Sequence, residues 1–374
     1  MLLTAAALFV FAVASCNRTN PEPILPTANP QITEAIEAMP ATNHQTPEAS
    51  NVPTAAATTD ESTPPALLDM VFVEGGAFNF HGRQVDVGSF YISRYQLTTN
   101  AVHRLETWAI ANRMHTGRLF DLLSGNSPTS ATWFNALYIS NLLSLYHGYR
   151  PVYYLDSELT IPLDRNAILG VPIIVFETAL HTGIFEDYAL LNFYIDNTAD
   201  GFRLPTEMEW EFAALGGNKS RGFLYAGSDA LEDVARIDID LMSGYLEVIG
   251  EAVGFRVRNE LGLYGMSGNV REWCIDYWSE EPLIDDALRE GVFFFDSNRL
   301  PEYRVIKGGF TVQLAMEYGD SVTDFLRPSA RPKMNLFRDT FSEHNDSEGN
   351  LVGYIAMRIM GNYAGIRLVR RRSG

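Results

Sequence analysis

The sequence predicts an α+β fold of short strands and a few helices joined by long irregular loops. Three observations carry the prediction. Residues 70–80 read MVFVEGGAFNF, two apolar strands around a Gly-Gly turn. Residues 131–145 set Phe134, Leu137, Tyr138, Leu142 and Leu145 on one helical face. Pro205, followed by Thr206 and Glu209, is a capping-box start for another helix. The chain carries 29 glycines, enough for many turns, and no repeat recurs along it.

Residues 1–15 are almost wholly apolar and end in Val13-Ala14-Ser15, followed by Cys16. Small residues before a cleavage point mark a secretory signal. The run is too short for a membrane-crossing helix, which needs about 20 apolar residues. The alternative is a short buried helix. Residues 17–66 contain no Phe, Tyr or Trp and are rich in Pro, Thr, Ala, Glu and Asn. Such a composition cannot bury enough apolar surface to offset ordering entropy, so this stretch reads as a disordered linker. Residues 67–374 remain as one domain, roughly 300 residues and ample for a large core.

Within that domain, residues 89–97 (SFYISRYQL) alternate as a strand. Gly148 stops the helix of residues 131–145, and residues 151–156 (PVYYLD) form a short strand. Residues 157–199 contain apolar runs without a firm period and support no assignment beyond an insertion on the rim. In residues 206–217, Met208, Phe212 and Leu215 share a helical face, and Gly216-Gly217 ends the helix. Glu207, Glu209 and Glu211 lie in its first turns, where the helix dipole favours negative charge. Two readings follow: a carboxylate cluster for metal or substrate, or capping with a solvated acidic face, which is preferred. Residues 262–276 (GLYGMSGNVREWCID) place Trp273 as a core anchor and Cys274 in a buried strand, where a thiol acts as a small, inert hydrophobe.

The formal net charge of −18 argues against nucleic acid as a partner, because an acidic chain repels phosphate backbones. The histidines show no metal-ligand spacing, and no Gly-rich phosphate loop follows a strand. Two cysteines occur, Cys16 and Cys274.

Four strings in order carry a resemblance: GFRLPTEMEWEFAA at 201–214, GLYGMSGNVREWCID at 262–276, RVIKGG at 304–309 and GIR at 365–367. The chain resembles the sulfatase-modifying factor (formylglycine-generating enzyme) family over most of residues 70–370. YQLTTN at 95–100 and LRPSAR at 326–331 are similar to further stretches of that family. The resemblance implies a C-type lectin-like fold. It is shared with variable proteins of diversity-generating retroelements, whose C-terminal segment is diversified to bind partners. Cys16 after the small residues resembles a bacterial lipobox, implying lipidation at Cys16 and an extracytoplasmic protein anchored at an outer membrane or cell surface.

The resemblance also implies a structural calcium site, with backbone carbonyls from Gly268 and Val270 and a carboxylate from Glu272; such mixed oxygen ligation suits a hard cation. Gly265 stands where the family usually has Asn or Asp, and Arg271 where it has Trp. The alternative is that Glu272 pairs with a nearby arginine. The enzymes of the family bind copper through a cysteine pair lying between the Lys-Gly-Gly and the closing Gly-x-Arg, and soft thiolates are what copper(I) requires. No cysteine occurs there in this chain, and Met316, Met334, Met357 and Met360 are not spaced as a pair. No copper is therefore expected, and a non-catalytic recognition domain for a protein or glycan partner is preferred over a formylglycine-generating oxidase or a carboxylate hydrolase. The expected binding surface lies on C-terminal loops, with Phe310, Tyr318, Phe325, Arg327, Phe337 and Arg338 as anchors. Residues 340–360 read as an insertion, either a tolerated surface hairpin or a recognition loop.

Overall fold

The computed structural model describes residues 66–114, 125–164, 174–179, 193–239, 246–248, 252–282, 292–293, 303–308, 324, 326–335, 337–345, 351–360 and 363–372. The chain divides into two units, and all of these residues belong to Thr59–Gly374. Among them, no helix is long and apolar enough to cross a membrane.

The architecture is α+β. A four-stranded antiparallel sheet runs in the order Met70–Val73, Phe90–Ser93, Val369–Arg371, Phe202–Arg203. A five-stranded sheet runs Lys333–Asn335, Tyr303–Lys307, Glu272–Tyr277, Ala364–Gly365, Ser130–Ala131. The chain's final stretch belongs to both sheets: Ala364–Gly365 ends in one, and Val369–Arg371 begins in the other. Glu272 lies at the junction, opposite Lys307 on one side and Gly365 on the other. A side chain at Gly365 would place its Cβ 2.6 Å from Val270, so this close crossing requires glycine.

The Gly-Gly turn redirects the chain rather than forming a hairpin. Met70–Val73 pairs with Phe90–Ser93, while Gly76–Phe80 pairs with Arg83–Val87. His81 and Gly82 make that hairpin turn with φ of 49° and 83°, the left-handed values of a tight two-residue loop. Asn79 fixes it by accepting a hydrogen bond from the Gly82 N–H.

Three helices carry threonine N-caps: α1 (Thr99–Ala111), α2 (Trp133–Tyr146) and α3 (Glu207–Ala214), capped by Thr98, Thr132 and Thr206. The expected single apolar face on α2 is corrected. Twelve of its 14 residues are buried, whereas Leu145 is exposed. This helix runs through the interior, and its polar residues are satisfied there. Ser140 and Ser144 donate to carbonyls one turn back, and Asn141 donates to the Tyr153 carbonyl and accepts from the Val152 and Tyr153 amides. The expected strand at residues 151–156 is only Tyr153–Tyr154.

Strands from the two segments expected as insertions, residues 157–199 and 340–360, pair with each other. Phe337–Asn345 and Leu351–Met360 form a long hairpin, and Ile174–Ala179 adds to it as a third strand.

Candidate functional site

α3 begins with the expected capping box, Thr206 accepting from the Glu209 N–H and Glu209 from the Thr206 N–H. Glu209 also takes Arg203 in a two-pronged ion pair at 2.7 and 2.6 Å. Burial works against the charged Glu209, but Arg203 outweighs it and holds the carboxyl below its ordinary range.

The solvated-face expectation fails for the other two acids. Glu207 and Glu211, one turn apart, are buried and point at Lys307, which is itself wholly buried. Lys307 Nζ lies 2.9 Å from Glu211 and 3.4 Å from Glu207. Arg331 closes on Glu207 through Nε at 2.7 Å and Nη2 at 3.0 Å. From the hairpin turn, His81 Nε2 reaches 3.3 Å from Glu211. Burial would raise the Glu211 pKa, yet Lys307 and His81 hold it low. Lys307 is held above its ordinary value by Glu211 and Glu207, against the opposing effect of burial.

His81, Glu207 and Glu211 bring ligand-type atoms within 4.8 Å of one another, a spacing a metal ion could bridge. Lys307 and Arg331 already neutralise both carboxylates, however, so an added dication would meet two fixed positive charges. The cluster reads as a charge-balanced clamp of α3 onto the sheet. Sequence spacing could not reveal it, because His81 and Glu207 are far apart in the chain.

Glu272 is the second buried acid. Its oxygens accept from Arg367 Nε at 2.8 Å and Nη2 at 2.9 Å, and from Trp210 Nε1 at 2.6 Å. The Val270 carbonyl accepts from the Gln96 amide at 2.8 Å, and the Gly268 N–H donates to the Gly308 carbonyl. Two of the three expected calcium ligands, the Glu272 carboxylate and the Val270 carbonyl, thus already accept from a guanidinium, an indole N–H and an amide N–H, whereas a hard cation needs free oxygens. Of the two readings for Glu272, the geometry is that of the arginine pair.

Cys274 lies in the strand Glu272–Tyr277, fully buried. Burial and the neighbouring Asp276 push its thiol pKa well above the ordinary value. Asp276 accepts from the Glu207 N–H at 2.7 Å; burial and the Glu207 charge raise its pKa to about 7. Arg304 lies between the rings of Trp133 and Tyr277, 3.9 and 3.5 Å from their centroids, and donates to the Ile275 carbonyl. The arrangement supplies counter-charges to buried groups. It presents no activated nucleophile among the described residues.

Of the expected surface anchors, Arg327 is described: it is partly exposed and pairs with Asp324 at 3.0 Å. Phe310, Tyr318 and Phe325 lie outside the described residues, as does Cys16. Phe337 and Arg338 stand at the start of the Phe337–Asn345 strand, opposite Met360 and Ile359.

Chaperone protein LppX of Paenibacillus barcinonensis is 30% identical over 250 residues, covering 59% of this chain and 76% of that protein. The formylglycine-generating enzyme of Streptomyces coelicolor is 32% identical over 128 residues, 28% of this chain and 40% of the enzyme. Among solved structures, Treponema denticola variable protein 1 has the same fold, with a TM-score of 0.50 and 19% identity over 81% of this chain and 95% of that one. The family profile described as sulfatase-modifying factor enzyme 1-like domain matches residues 55–341. The chain therefore belongs to the family of sulfatase-modifying factor enzyme 1-like domains.

Proposed function

We propose that this chain is a non-catalytic, partner-binding member of its family, held outside the cytoplasm by lipid on Cys16. One observation carries the reading: sulfur is missing where the family's oxidases need it. Between Lys307 and the closing Gly365-Ile366-Arg367 there is no cysteine, and the thiol of Cys274 is buried and protonated. The catalytic chemistry has no thiolate pair to bind copper, while the buried ion pairs that hold the scaffold are intact.

A protein is the partner class favoured. The similarity to a protein named as a chaperone, over most of that protein's length, supports this choice over a glycan. Attachment through Cys16 follows from the small residues before it and from the aromatic-free stretch after it. The C-terminal strands and loops, with Phe310, Tyr318, Phe325, Arg327, Phe337 and Arg338, form part of the proposed contact surface.

The test has two arms. Incubating the purified chain with a Cys-x-Pro-x-Arg peptide, copper and oxygen should leave the peptide's thiol mass unchanged; an aldehyde product would overturn the reading. Affinity capture with the full chain should recover a specific protein partner from the exported fraction of its host. Recovery of none would count against partner binding.

A further inference from the structure

A cleft of about 430 Å³ opens between the loop carrying Arg221 and Phe223, the loop of residues 258–262, and Arg94. Three of its nine lining residues are arginines and one is acidic, in a chain that holds 46 acidic side chains against 28 basic ones. The cleft therefore reverses the sign of the molecule.

Its backbone is built to stay open. Buried Asn259 donates to the Ala213 and Ala214 carbonyls at the end of α3 and accepts from the Leu261 and Leu263 amides. Gly262 has a φ of 82°, and a Cβ there would lie 2.8 Å from Arg94 Nη1, where Arg94 donates to the Gly262 carbonyl. The one acid, Glu260, accepts from the Arg221 backbone N–H. Arg94 is paired with Asp69. Arg221 lies over the Phe223 ring at 4.7 Å, and neither it nor Arg258 has a carboxylate partner among the described residues. Both are exposed. The segment leading to Arg258 exposes Phe255 at 75% and Val257 at 43%, and Leu224 follows Phe223 at 39%. Arginine forks beside exposed apolar side chains suit carboxylates flanked by aromatic or aliphatic groups.

We propose that this cleft binds an acidic, aromatic-bearing segment of a partner protein, with carboxylates against Arg221 and Arg258. The proposal rests on the partner-binding reading above but assigns a contact to residues other than the C-terminal ones named there. It predicts that a fluorescein-labelled peptide of aspartates around one phenylalanine binds the full chain by fluorescence anisotropy, and that a lysine counterpart does not. Reversing both charges, Arg221→Glu with Arg258→Glu, should weaken binding by about tenfold or more, since each reversal turns an attraction into a like-charge repulsion. The neutral pair Arg221→Gln with Arg258→Gln should fall between. Thermal melts should be unchanged, because both side chains are exposed.

No anisotropy change with the acidic peptide, binding unaffected by charge reversal, or displacement by sulfate at equal concentration would overturn the proposal; the last would mark a small-anion site. Affinity capture separates this failure from that of the broader reading. If the charge-reversed chain still captures the protein recovered by wild type, the cleft is not the contact while partner binding stands. Loss of that protein from the variant supports the cleft.

Discussion

Arg367 grips Glu272 edge-on at the seam between the two sheets, with both side chains fully buried. Its remaining N–H groups donate to the carbonyls of Ser93, Arg94 and Tyr264, and Trp210 supplies a further donor to Glu272. One ion pair thus ties α3, the central strand of one sheet and the entry to the last strand of the other. Removing one partner of a buried pair leaves an uncompensated charge, which costs about 3–5 kcal/mol. Glu272→Gln and Arg367→Met should each destabilise by that order in urea unfolding. The double variant should lose less than the sum, because the second change removes the stranded charge left by the first.

The same pair governs the response to calcium. A ligand that binds only the folded state raises the melting temperature with its concentration. Here the Glu272 carboxylate already has a guanidinium, and the Val270 carbonyl already accepts from Gln96. Millimolar calcium and EDTA should therefore leave the melting curve of the wild-type chain superimposable. A calcium-dependent rise would show that a cation displaces Arg367 from Glu272.

Asp276 sets a pH dependence of opposite sign to that of most carboxylates. Its folded pKa of about 7 stands above the ordinary aspartate value of 3.8, so between those values the folded chain binds a proton that the unfolded chain has released. Stability from this group is complete below about pH 4 and is lost as pH rises to about 7. Asp276→Asn keeps a carbonyl oxygen for the Glu207 N–H and removes the titration. The variant should match wild type near pH 4 and grow more stable than it up to pH 7, by about 1.4 kcal/mol per unit as an upper bound. Chemical denaturation across that range reads the gap directly; a constant gap would exclude Asp276 as the titrating group.

The fold was legible wherever local chemistry is self-sufficient. The capping box at Thr206 and the buried strand around Trp273 need only near neighbours to be recognised. What was not legible depends on partners distant in sequence. Glu207 and Glu211 look solvated from their own helix, because their counter-charges come from Lys307 and Arg331. The helix at residues 131–145 looks amphipathic because Ser140, Asn141 and Ser144 are polar, yet each finds a buried partner. Residues 174–179 show no usable period, since that strand is specified by pairing with Leu351–Met360. The arginine cleft gave no sequence signal, as Arg94, Arg221 and Arg258 come from separate segments.

Cys274 offers a direct check on the proposed lack of thiol chemistry. Its side chain is enclosed in the core that holds Trp210, Phe212 and Val305, and its thiol is held protonated by burial and by the acidic residues Asp276, Glu207 and Glu272, against the opposing charge of Lys307. Alkylation needs both access and a thiolate. Iodoacetamide applied to the native chain at pH 8 should leave Cys274 unmodified in peptide mapping by mass spectrometry, and modification should appear only after unfolding in denaturant. The rate of labelling in intermediate denaturant should follow global unfolding, because the strand Glu272–Tyr277 is central in its sheet and cannot open alone. Rapid modification of the folded chain would mean that this thiol is reachable and ionised, and would reopen sulfur chemistry for this member of the family.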